Sequence, residues 1–254
     1  VSGLRLGSEV DPEGDGQPSA DATLDDTTGT PDDEDGVLFS TPFYLGRDAM
    51  IEVTASAAGR LDAWIDWNDD GDWADSGEKV CDNVSLTAGP NTLTVAVPAT
   101  ATLTSQTFAR FRLSSTGGLS FTGAAADGEV EDYAVAIDLA PPVLDAEPPA
   151  TPGTENTISW PAVPGADEYF VQYDDNPDFS SPEGDSGWIT GVQHTFTGLM
   201  SGQTCYYRVK ARDGGYRQVL DRCHFSTLQA DEAHQLLRGV TIDVTEQRQM
   251  EDDL

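Results

Sequence analysis

Thr92-Leu93-Thr94-Val95-Ala96-Val97 alternates strictly, with Leu93, Val95 and Val97 on one side and Thr92, Thr94 and Ala96 on the other. A period of two belongs to a strand with one dry face and one wet face. Outward from this run, the same texture recurs at Val37–Phe39, Met50–Ala55, Leu61–Trp67, Lys79–Leu86, Phe108–Leu113 and Tyr133–Ile137, with turn residues between. No helical period competes with it. About seven short strands punctuated in this way predict a β-sandwich over residues 37–138.

Beyond Asp138, Pro141-Pro142 and Pro148-Pro149 flank a stiff stretch. Proline fixes φ and lacks an amide donor, so the stretch reads as an interdomain junction leading into an edge strand. A second β pattern follows at Thr157–Trp160, Tyr169–Tyr173, Trp188–Ile189, His194–Phe196, Cys205–Ala211 and Cys223–Thr227, predicting a second sandwich over residues 139–229. Residues 230–254 read as a tail. Ala230–Leu237 suits two helical turns ended by Gly239, and Val240, Ile242 and Val244 then alternate as in one more strand. At the other end, residues 1–36 form an acidic leader holding eleven Asp or Glu residues against Arg5 alone. Such a segment repels itself unless cations order it. The expected fold class is all-β, with two β-sandwich domains in tandem behind an acidic, loop-rich leader.

Charge narrows the function. The 254 residues include 45 Asp or Glu and 13 Lys or Arg, a formal charge of -32. Phosphate neutralisation needs clustered bases, so nucleic acid is excluded as a partner, and anionic membranes are disfavoured. No stretch approaches the ~20 apolar residues of a membrane helix, so no membrane insertion is expected. The N-terminus carries no signal-peptide pattern. The acids comprise 31 Asp and 14 Glu. Short carboxylates beside Gly and Asn fold back onto a cation in tight turns. A halophile surface gives the same acidity, and both readings stand.

The strongest local signal is Asp66-Trp67-Asn68-Asp69-Asp70-Gly71-Asp72-Trp73-Ala74-Asp75-Ser76-Gly77-Glu78. An EF-hand-type loop draws calcium ligands from alternate positions, with Gly at the sixth. With Asp66 first, Asn68 is third, Asp70 fifth, Gly71 sixth and Asp72 seventh. Glu78 falls thirteenth instead of twelfth, and the flanks read as strand. The expectation is a calcium loop between two strands. Asp66, Asn68 and Asp70 bind by side chain, Asp72 binds by carbonyl, and Glu78 or a distant carboxylate closes the shell. A solvated acidic turn is the plainer alternative.

Asp127-Gly128-Glu129-Val130-Glu131-Asp132-Tyr133 precedes the alternating Ala134–Ile137. Together with Leu6-Gly7-Ser8, Asp11-Pro12-Glu13-Gly14-Asp15-Gly16, Asp32-Asp33-Glu34-Asp35-Gly36-Val37, the Trp64-Ile65-Asp66 strand and Arg110-Phe111-Arg112-Leu113, residues 4–138 resemble the bacterial extracellular GEVED domain. The resemblance implies a secreted or surface-anchored protein of modular build and says little of activity. By period two, Glu129 and Glu131 share a face with Tyr133, Val135 and Ile137, at the end of the sandwich core. Carboxylates there need a cation or an arginine. Arg110 and Arg112 are one set of partners and a metal is the other, with Asp33 and Asp35 of the leader as further candidate ligands.

Farther on, Ile158-Ser159-Trp160, Tyr169-Phe170-Val171-Gln172-Tyr173, Asn176-Pro177-Asp178-Phe179-Ser180 and Leu199 followed by Cys205-Tyr206-Tyr207-Arg208-Val209-Lys210-Ala211 resemble a fibronectin type III domain over residues 141–228. Cys205 stands where such domains carry a corner tyrosine. Cys205 and Cys223 lie symmetrically about the turn Asp213-Gly214-Gly215, so a disulfide and two buried thiols are both open readings. Cys81 has no partner and reads as a small apolar filler.

Enzyme signatures are absent: the histidines are scattered, and there is no Gly-x-Ser-x-Gly, His-Glu-x-x-His or phosphate loop. Trp67 and Trp73 are the aromatics placed to stack on a sugar. The sequence therefore predicts a non-catalytic, calcium-binding extracellular structural protein, secreted or on a bacterial cell surface, acting in adhesion, matrix or surface-fibre assembly. Its expected partners are further copies joined by edge-strand addition, a glycan or another surface protein. The alternative is a carbohydrate-binding accessory region of a secreted multidomain hydrolase.

Overall fold

The computed structural model describes residues 3–8, 34–148, 150–214 and, as backbone, 218–229. The rest of the leader, including Asp33, and the tail from 230 lie outside the described residues. The described residues form strands and no helix, and the chain divides into two units between Asp138 and Leu139. The all-β class is the observed one.

The first unit contains β1 (Val37–Phe39), β2 (Phe43–Tyr44), β3 (Asp48–Ala55), β4 (Gly59–Ile65), β5 (Lys79–Leu86), β6 (Gly89–Ala96), β7 (Thr104–Ser114) and β8 (Glu129–Asp138). One sheet has the order β1-β3-β6 and the other β2-β8-β7-β4-β5. Alternation builds the core between them. Ala49, Ile51, Val53 and Val95 are buried in the first sheet, and Leu61, Ala63, Ile65, Phe111, Leu113 and Ile137 in the second. Two-residue β2 is too short to carry a period, and its parallel pairing with β8 escaped the sequence. Leu6 is fully buried. Gly7 N donates to Thr54 O at 2.9 Å and Ser56 N to Arg5 O at 2.8 Å, so the first leader segment lies along the end of β3.

The second sheet is buried on its other face too. There Arg110 and Asp132 form a fully buried ion pair across β7 and β8, with Arg110 Nε donating to Asp132 Oδ1 at 2.7 Å. Arg112 donates to the carbonyls of Ser120, Thr122 and Gly123, which drapes the 115–128 segment over the sheet. Asp62 accepts from the Asn83 and Leu119 amides and pairs with Lys79 at 2.8 Å.

The second unit contains β9 (Ala150–Pro152), β10 (Glu155–Ser159), β11 (Glu168–Asp174), β12 (Gly184–Ile189), β13 (Gln193–Thr197), β14 (Thr204–Arg212) and β15 (Gln218–Gln229). Its sheets are β10-β13 and β12-β11-β14-β15-β9, with β9 at the edge, parallel to β15. Ile158, Trp160, Tyr169, Val171, Phe196, Tyr207 and Val209 fill its core.

The expected disulfide does not form. Cys205 is a buried free thiol whose cross-strand partner is Ser226. The hairpin is centred one residue later than Gly214, because Arg212 pairs with Gln218, which moves the ladder by two places, and a bulge between Tyr207 and Val209 adds a third. Cys223 thus falls three places from Cys205 along the ladder, roughly 10 Å at about 3.3 Å per residue, beyond disulfide reach. Cys81 is a buried free thiol, and burial pushes its pKa up to about 11.

Candidate metal centre

β4 ends at Ile65 and β5 begins at Lys79, so the acidic stretch 66–78 joins two neighbouring strands. Both its ends are fixed. Asp66 N donates to Phe108 O at 3.0 Å, and Ile65 N to Glu78 O at 2.9 Å. Thr107 Oγ1 donates to Asp66 O at 2.8 Å. Trp73 Nε1 reaches Phe108 O at 3.1 Å, and its ring lies beside Phe121 with the Arg110 guanidinium 4.9 Å from its centroid. Trp67 packs edge-on against Phe43. At 5% and 4% exposure, Trp67 and Trp73 are core residues and offer no face to a sugar, which corrects the stacking role read from the sequence.

Asp66 is 1% exposed, and its carboxylate serves the loop backbone. Oδ1 accepts from Asp69 N at 2.7 Å and Asp70 N at 3.3 Å, and Oδ2 from Gly71 N at 3.0 Å. These bonds hold Asp69 and Gly71 at φ 59° and 89°. Burial raises the Asp66 pKa, and the three amides oppose the rise.

Beyond this hub, the carboxylates of Asp70, Asp72 and Asp75 converge at the surface, with one oxygen from each within 4.8 Å of the others. Asn68 sits among them, its Nδ2 donating to Asp70 Oδ2 at 3.0 Å and Asp75 Oδ2 at 2.8 Å. Asp75 was not read from the sequence, because EF-hand counting puts it tenth, a place without a ligand in that template. Its signal was simpler: a carboxylate five residues beyond Asp70 and three beyond Asp72 in a turning loop.

Glu78 closes the loop from below. Its Oε2 accepts from Asp75 N at 3.0 Å, the residue is 2% exposed, and buried Oε1 has no hydrogen bond of good geometry. Burial pushes its carboxyl up to about 7. The Asp66 and Asp75 charges add to the rise, and the Asp75 and Trp67 amides oppose it.

The second carboxylate group is organised differently. Glu131 is buried, and it accepts from Gly36 N at 3.1 Å and from Tyr133 Oη at 2.9 Å, while Val37 N donates to Tyr133 Oη at 3.0 Å. Glu129 Oε2 accepts from Leu6 N at 2.6 Å. Asp35 accepts from Ser8 N at 2.9 Å and Ser8 Oγ at 2.5 Å. Burial raises the Glu131 pKa to about 8, with Glu129 and Asp35 adding to it. Arg110 and Arg112 are not its partners. In register they face Asp132 and Val130, so they occupy the opposite side of the sheet, and Glu131 lies beside Phe111. Of the two partners the sequence leaves open, an arginine or a metal, the arginine is replaced by the Leu6 and Gly36 amides at the two leader ends.

No curated protein matches this chain. Among solved structures, the fibronectin type III domain of the human collagen alpha-1(XX) chain is similar at 19% identity, over 38% of this chain and 91% of that one, with a TM-score of 0.30. A two-domain fibronectin type III segment of chicken tenascin is similar at 11% identity, over 75% of this chain and 97% of that one, with a TM-score of 0.36. Residues 60–136, which run from β4 into β8 and contain both the 66–78 loop and Gly128-Glu129-Val130-Glu131-Asp132, match the family model of the GEVED domain.

Proposed function

We propose that this chain is a non-catalytic, calcium-stabilised structural module of the extracellular space, secreted or on a bacterial cell surface, acting in adhesion, matrix or surface-fibre assembly. The observation that carries the calcium reading is Glu78. A buried carboxylate whose Oε1 has no hydrogen bond of good geometry, next to Asp66 and Asp75, has no positive partner among the described residues. The groups around it suit calcium: all are hard oxygen donors on a loop able to offer several at once. Asp70, Asp72, Asp75 and Glu78 would hold the ion. The Asn68 amide now points its donor end at Asp70 and Asp75, and turning it over presents Oδ1 to a cation. Asp66 supports the loop from behind. Bound calcium would neutralise the cluster and tie the β4–β5 connection to the sheet.

The carbohydrate-binding alternative has less support, because Trp64, Trp67, Trp73 and Trp160 are buried, and the ring of half-buried Trp188 is engaged by Phe170, Lys210 and Arg212.

Native mass spectrometry and thermal melting, with calcium and with chelator, test the proposal. Calcium should add discrete mass and raise the melting temperature of the first unit, since a ligand at a thousandfold excess over its dissociation constant stabilises by about 4 kcal/mol. Unchanged mass, together with melting indifferent to calcium in metal-free protein, would sink it.

A further inference from the structure

β6 ends its sheet: β3 lies on one side, and no described strand lies on the other. The direction of its free groups follows from β3. Ser40 and Thr41 amides donate to Met50 O, and Thr54 N donates to Gly36 O, so Met50 and Thr54 address the β1 side. Their antiparallel partners on β6 are Thr94 and Pro90. Alternation then turns the backbone groups of Pro90, Thr92, Thr94 and Ala96 away from β3, while Asn91, Leu93 and Val95 face it. The side chains of Thr92, Thr94 and Ala96 are exposed as well.

Natural sheets guard such an edge with charge, proline, a short strand or a bulge. β6 has eight residues and no charged one. From Asn83 to Ala109 there is no Asp, Glu, Lys or Arg, in a chain with 45 acids and 13 bases. The charged guard is missing where this acid-rich sequence had most material to supply it, and Pro90 and Pro98 block only the two ends of the edge.

We propose that β6 pairs antiparallel with β6 of a second copy of this chain. The strand is self-complementary. Pro90 and Pro98, which cannot donate, stand at equal distance on either side of Thr94. A two-fold axis at Thr94 sets Thr94 against Thr94 of the second copy and Thr92 against its Ala96. Each outward amide of Thr92, Thr94 and Ala96 then meets an outward carbonyl, and the ladder ends at the prolines. The contact is isologous and closes as a dimer, with a continuous six-stranded sheet. Met50, 46% exposed and level with Thr94 on the outer face, flanks the axis in both copies.

Charge selects a copy as the occupant. A strand without charge has nothing to recognise a basic or acidic partner, and two chains of -32 can approach only where both are neutral. Association should therefore strengthen with salt, the reverse of a charge-complementary complex. An edge ladder buries less than the ~1,200 Å² of a standard interface, so the dissociation constant should lie on the order of 10 μM to 1 mM.

Sedimentation equilibrium of the full chain, at rising concentration and salt, reads this directly. Expected are a dimer favoured by high salt and a monomer for Thr94→Pro, whose lost amide makes no bond to β3, so its melting temperature should match wild type. Thr94→Cys should form an oxidised dimer that reductant dissolves. A wild-type chain that stays monomeric throughout, a Thr94→Pro dimer, or a Thr94→Cys chain that resists crosslinking would overturn the proposal.

Discussion

Asp132 and Glu131 are neighbours on β8, both buried, and they face opposite sides of one sheet. Asp132 meets Arg110 in a paired geometry, whereas Glu131 meets one amide and a phenol. Their neutralisation should differ accordingly. Asp132→Ala strands a buried guanidinium and should cost about 3–5 kcal/mol, read by urea unfolding. Glu131→Gln keeps the shape and removes a charge that burial disfavours, so above pH 8 it should leave stability unchanged or raise it. On the 66–78 loop, Asp75→Asn should weaken calcium binding by about tenfold or more, ~1.4 kcal/mol, in isothermal titration, while exposed Asp69→Asn should not. Equal losses from both would mean that the cluster acts only as a diffuse charge.

At the scale of elements, most strands were legible, two-residue β2 excepted, and their joins were not. β1 and β5 have the limits their sequence predicts, because alternation and turn residues agree there. The Glu129–Glu131–Ile137 face was also readable, since a period of two fixes it without knowledge of the neighbour strand. Which arginine meets which acid was not readable. That depends on the β7–β8 register, which pairs Arg110 with Asp132 and leaves Glu131 beside Phe111. The Cys205–Cys223 disulfide failed for the same reason, because one bulge and one shifted turn moved the ladder. Within the metal loop, the acids were evident but their division of labour was not, since Asp66 acts through three backbone bonds that no spacing rule describes. The turn into β8 makes a sharp test of element geometry. Gly128 has φ 99°, and a Cβ there would lie 1.7 Å from Leu113 O. Gly128→Ala should therefore cost at least about 2 kcal/mol and lower the melting temperature of the first unit by several degrees.

Across the whole molecule, acidity has a thermodynamic sign. Folding raises Glu131 from 4.5 to about 8 and Glu78 from 4.5 to about 7. Between the unfolded and folded values the folded chain binds more protons, so stability falls as pH rises through about 4.5 to 8. Calcium-free protein should thus unfold at lower urea at pH 8 than at pH 5.5, and Glu131→Gln should flatten that slope. A slope of opposite sign would show that both groups ionise without penalty in the fold. One further feature concerns how the chain tolerates change. Ser8 and Asp35 are hydrogen-bonded to each other, and Leu6 and Gly36 are each tied to a β8 glutamate, so the two ends that border residues 9–33 are pinned together in a single gate. Between ends pinned in this way, doubling the length of a flexible connection costs only about 0.6 kcal/mol. A foreign epitope or a reporter domain grafted between residues 9 and 33 should therefore be displayed without unfolding its carrier, which makes this gate a natural port for cargo.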